Sequence, residues 1–93
     1  MKHAGIETLE QLEPLLVRLR AIEGLVERKP GIFYLRSRAF LHFHEDPTGI
    51  YADARLDGVD FQRFALAATG FERFTREVAA AVDRLAADRN GIP

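Results

Sequence analysis

The stretch "AFLHFHEDPTGIYADARL", residues 39–56, constrains this chain more than any other. Two alternating runs flank Asp46-Pro47-Thr48-Gly49, a turn-forming composition. Alternation on both sides of a turn specifies an antiparallel hairpin. A four-residue loop pairs position 45 with 50, 43 with 52 and 42 with 53. Leu41 and Phe43 then share a face with Ile50, Ala52, Ala54 and Leu56, and that face must be covered.

Two segments supply the cover. Leu12, Leu15, Leu16, Leu19 and Ile22 recur at helical spacing within residues 8–23. Thr8 and Gln11 fit a capping box, but Pro14 disturbs a helix begun that early, so the helix proper starts near Pro14. Gly24 is a plausible stop. Near the other end, Phe71, Phe74, Val78, Val82 and Leu85 form one face of a second helix. Thr69 and Glu72 signal its start, and "RNGIP" its end.

Between them, "VERKPG" reads as a connector. Strand-like runs follow at roughly 31–36, 39–45 and 50–56. A three-residue turn at "RSR" puts Phe33 and Leu35 on the core face, and a two-residue turn puts Ile32 and Tyr34 there. Asp57-Gly58 favours another hairpin and a fourth strand over 59–67, although "FALAA" also has helix propensity. The expected fold is a single α+β domain over 1–93, with residues 1–7 and 90–93 as mobile ends. It has two layers: an antiparallel meander of three or four strands, with N- and C-terminal helices on one face.

Composition narrows the function classes. A chain of 93 residues suits one domain with a modest core. It has no cysteine, which excludes thiolate metal sites and thiol nucleophiles. No apolar run approaches the ~18 residues of a membrane span, and "MKHAGIETLEQLEP" does not read as a secretory signal, so a cytoplasmic protein is expected. Net charge is −1 with a pI near 6.3, which argues against a nucleic-acid partner. Basic groups concentrate in residues 18–38 and acids in 45–60, a polarity that reads first as two solvated loops of opposite sign and otherwise as a means to orient a partner or pair two copies.

The second sheet face carries the candidate site. His42 and His44 point away from Leu41 and Phe43, with Asp53 opposite His42 and Tyr51 opposite His44. Phe40 and Arg55 fall on this face, and Tyr34 and Arg36 are placed there with them. Three uses compete. The face can bind another protein or a second copy of the chain through its aromatics and arginines, in a non-enzymatic domain; this is the preferred reading. His42, His44 and Asp53 can bind zinc or iron, since two imidazoles and a carboxylate suit either ion. A His–carboxylate pair also suits general-base catalysis, but Ser37, the only serine, sits in a basic turn, and no phosphate loop is present. His3, near the chain start, is set aside as mobile.

The stretch Ile22–Leu56 resembles the core of small bacterial MmcQ/YjbR-like domains in Gly24, Glu27, Phe33 and the hairpin through Phe40. The resemblance implies an α+β domain, with DNA binding suggested on architectural grounds. "LHFHED" departs from that pattern, and no catalytic residue carries over.

Overall fold

The computed structural model of the protein describes residues 1–90. The elements are β1 (Lys2–His3), α1 (Ile6–Gln11), α2 (Glu13–Arg20), β2 (Leu25–Lys29), β3 (Ile32–Leu35), β4 (Arg38–Asp46), β5 (Gly49–Ala54), β6 (Gln62–Ala65), α3 (Leu66–Thr69) and α4 (Phe71–Asn90). Of the expected loose C-terminal end, Asn90 closes α4, and 91–93 lie outside the described residues.

The hairpin β4–β5 has the register its alternation dictates: His42 pairs with Asp53, Phe43 with Ala52, His44 with Tyr51 and Glu45 with Ile50. Asp46 Oδ1 accepts the Thr48 N–H at 2.8 Å, which closes the tip. Leu41, Phe43, Ala52, Ala54 and Leu56 are buried as expected, with Ile50 packed beside them.

The β3–β4 connection combines both sequence alternatives. Its tip is two residues, Arg36-Ser37, with φ of 52° and 69°, the positive pair that a type I′ turn requires. Leu35 pairs with Arg38 and Tyr34 with Ala39, after which the register shifts and Phe33 pairs with Leu41. This bulge gives Phe40 no opposite residue and breaks the alternation of β4. Phe33 therefore reaches the core despite the short turn. Phe40 is buried in the core as well, not displayed on the open face with the histidines.

The sheet has six strands, not three or four: β2-β3-β4-β5-β6 in order, with β1 also on β4. Two strands escaped the sequence reading. β2 forms from the supposed connector and pairs antiparallel with β3. It is an edge strand in which only Leu25 is buried, so it carries no apolar alternation. Gly31, at φ 75°, makes the turn that follows. Its N–H donates to Glu27 Oε2 at 2.8 Å, and a Cβ there would lie 2.6 Å from Leu9 Cδ2.

β1 exists because β4 is longer than β3. β3 pairs with β4 only as far as Leu41, which leaves the edge at 43–45 free. The N-terminal residues fill it: Lys2 pairs with Glu45 and His3 with His44. The Ala4 N–H donates to the Phe43 carbonyl at 3.1 Å, and the Gly5 N–H to Glu45 Oε2 at 2.7 Å. Residues 1–7, expected to be a mobile end, thus contain a paired strand and the start of α1.

Both signals in 59–67 are used in succession, since β6 runs directly into α3. Gly70, at φ 82°, then separates α3 from α4. The Phe74 N–H bonds to the Gly70 carbonyl, so Gly70 rather than Thr69 holds the N-cap position. Pro14 sits in the first turn of α2 and divides the N-terminal segment into two helices. Leu15, Leu16 and Leu19 of α2 and Phe74, Val78 and Ala81 of α4 cover Phe33, Leu41, Phe43, Ala52 and Ala54 of the sheet. The result is a two-layer α+β domain whose second sheet face carries no helix layer. Among the described residues no helix is long and apolar enough to cross a membrane.

Candidate metal centre

Strand pairing sets the open face in rows. One row runs His3, His44, Tyr51, Ala65 across β1, β4, β5 and β6; the next runs His42, Asp53, Arg63. The three histidines meet at the corner of these rows. The His42 and His44 rings lie 4.7 Å apart and nearly edge to face, at 77°. His3 lies 4.7 Å from His44 and 5.7 Å from His42. One ligand nitrogen from each ring falls within 4.8 Å of the other two. A tetrahedral zinc with bonds of about 2.0–2.1 Å needs nitrogens about 3.3 Å apart. His3 is exposed and on a strand of two residues, so its rotation can close that gap.

The surroundings of His42 favour its neutral imidazole. Burial, reinforced by the neighbouring His44, pushes the His42 pKa below its ordinary value. Phe61 lies edge to face with the His42 ring at 4.8 Å, and the Arg55 guanidinium lies 4.1 Å from the Phe61 ring centroid. His44 Nε2 is 3.2 Å from Asp53 Oδ2. That carboxylate favours the proton on Nε2 and leaves Nδ1 with its lone pair. Nδ1 of His42 and Nδ1 of His44 are both buried without a hydrogen-bond partner.

Asp53 is held in turn. Arg63 donates Nε to Oδ1 at 2.8 Å and its terminal nitrogen to Oδ2 at 2.9 Å. The Arg63 hydrogen bonds keep the Asp53 pKa below the ordinary carboxylate value against the opposing effect of burial. At 7% exposed, Asp53 is the most buried charged group on this face.

Of the residues named from sequence, His42, His44, Tyr51 and Asp53 share the face in the expected register. Tyr51 lies opposite His44, and its hydroxyl pairs with Thr48 in the turn. Asp53 is not among the three clustered histidines; it faces His44, and the third imidazole of the cluster is His3. Arg55 is on the face but engaged, donating to the Ala39 carbonyl at 2.9 Å. Tyr34 lies under the Arg28 guanidinium, at 4.8 Å. Arg36 is at the hairpin tip and donates toward the Leu85 carbonyl of α4, because the type I′ turn removes it from the strand. Sequence reasoning missed His3, Phe61 and Arg63. The signals for the last two lay in the alternation of "FQRFA", where Arg63 faces Asp53 across β5–β6.

No family model, curated protein or solved structure matches this chain.

Proposed function

We propose that this domain binds a divalent transition metal through His3, His42 and His44. The observation that carries the reading is the pair of buried, unpartnered Nδ1 atoms on adjacent rings, with a third imidazole in reach. A buried polar atom without a partner costs about 1–3 kcal/mol, and a cation bound by both atoms would relieve that cost. Three imidazoles suit zinc, with water completing the tetrahedron. Asp53 orients His44 as a carboxylate commonly orients a metal-bound imidazole. The metal would fasten β1 to β4. A cysteine-free chain also fits a cytoplasmic location.

The test is thermal unfolding of chelator-stripped protein with and without zinc. At a free zinc concentration of about 100 Kd, binding adds about 2.7 kcal/mol, a rise of roughly 10–20 °C for a domain of this size. His3→Ala should melt like the metal-free wild type and lose the rise. A wild type indifferent to zinc, or a variant that keeps the full rise, contradicts the reading.

A second reading, contact with another copy or another protein through the same face, is favoured by Val59 and Phe61, which are 60% and 38% exposed. It expects mass in sedimentation to rise with concentration, and Phe61→Ser to abolish the rise.

A further inference from the structure

At the end of β4 away from the histidines lies a cavity of about 300 Å³, lined by Leu35, Arg36, Arg38, Phe40, Arg55 and Leu85. The fold builds it from features already described. The bulge turns Phe40 inward to form an apolar wall with Leu85. The type I′ tip sets Arg36 and Arg38 at its rim. Gly58 closes one side with φ of 79°, where a Cβ would lie 2.9 Å from Leu85 Cδ2.

The three guanidiniums are held by main-chain carbonyls. Arg38 donates to the Gly58 carbonyl at 3.0 Å, Arg36 toward Leu85 at 3.5 Å, and Arg55 to Ala39 and Val59, both at 2.9 Å. Each keeps further N–H donors. Among residues 1–87, none of the three ion-pairs with a carboxylate. Asp57 feels the Arg55 charge, but its carboxylate accepts the Val59 and Asp60 N–H groups at 2.8 and 3.0 Å. Three arginines therefore line one apolar-walled hollow, with the Arg55 guanidinium also stacked on Phe61 at 4.1 Å.

We infer that this cavity binds a small organic dianion with an apolar body, of the phosphate-monoester class. Guanidinium forks match phosphate oxygens in pairs, and three of them suit a double charge. The volume is at the lower end for small-molecule sites, about 300–1,000 Å³, so the apolar body is about the size of one aromatic ring. None of the histidines lines the cavity, so this inference and the metal reading stand or fall separately.

The probe is phenyl phosphate, titrated into the chelator-stripped protein and followed by backbone amide NMR. Saturable shifts are expected at Phe40, Gly58 and Leu85. Phenyl phosphate should bind at least roughly tenfold tighter than phenol or inorganic phosphate, and Arg38→Gln should weaken it roughly tenfold. Arg36→Gln, at an exposed turn tip where the fold does not depend on it, should weaken it in the same direction. Three results would overturn the inference: no saturable shift up to about 10 mM, phenol binding as well as phenyl phosphate, or affinity unchanged in both variants.

Discussion

Replacing Asp53 by Asn tests the support beneath the proposed metal centre, because it removes charge while keeping shape. In the native chain the carboxylate accepts two hydrogen bonds from Arg63 and faces His44 Nε2. An amide offers one acceptor oxygen and turns two N–H donors toward Arg63 or His44. Arg63 has 49% of its side chain exposed, so its released donors return to water and its share is small. His44 has only 13% exposed, so losing its acceptor costs about 1 kcal/mol more. The total is about 1–2 kcal/mol, or a fall in Tm of roughly 5–15 °C for a domain of this size. Zinc affinity should fall by about 10–100-fold, because His44 loses both its orientation and its fixed tautomer. Circular-dichroism melting reads the first effect, and competition with a zinc-binding dye reads the second. A variant that loses stability while keeping full zinc affinity would refute the role given to Asp53. An unchanged Tm would refute the energetic weight placed on the Arg63–Asp53–His44 contacts.

Two further outcomes follow from features away from the histidines. Ser37→Gly should raise stability by about 0.5–1 kcal/mol in denaturant unfolding, because φ of 69° is strained for serine and natural for glycine. Glu27, paired with Arg20 at 2.6 Å and bonded to the Gly31 N–H, has its pKa held below the ordinary 4.5 chiefly by the Arg20 hydrogen bond. Its contribution is complete above about pH 4.5, where the unfolded chain is also ionised, and is lost as pH falls through the depressed folded value. Acid titration of wild type and Glu27→Gln should therefore show their stabilities converging in that acid range, and parallel curves would contradict it.

The hairpin that carries His42, His44, Tyr51 and Asp53 was legible because two strong local signals agree. The Asp-Pro-Thr-Gly tip sets the loop, and the alternation of Leu41 and Phe43 with Ala52 and Ala54 sets the side chains. The face of α4 was legible for the same reason, its apolar spacing surviving in Phe74, Val78 and Val82. What escaped depends on contacts between distant segments. Phe40 turns inward through a bulge against β3, which alternation along β4 cannot register. β2 is a charged edge strand, and β1 forms only because β4 extends beyond β3. His3 followed β1: dismissing residues 1–7 as loose also dismissed the third imidazole. A sharper signal was present in composition, since all three histidines of the chain fall in this one cluster.

The most direct test of the metal centre is a zinc titration of chelator-stripped protein, followed through the nitrogen-15 resonances of the histidine rings. The proposed metal site predicts saturation at a single equivalent per chain, with Nδ1 of His42 and Nδ1 of His44 shifting together and the His3 ring joining them. Nε2 of His44 should stay protonated against Asp53 throughout. Rings that ignore zinc, or a response confined to the exposed His3, would contradict the three-histidine site.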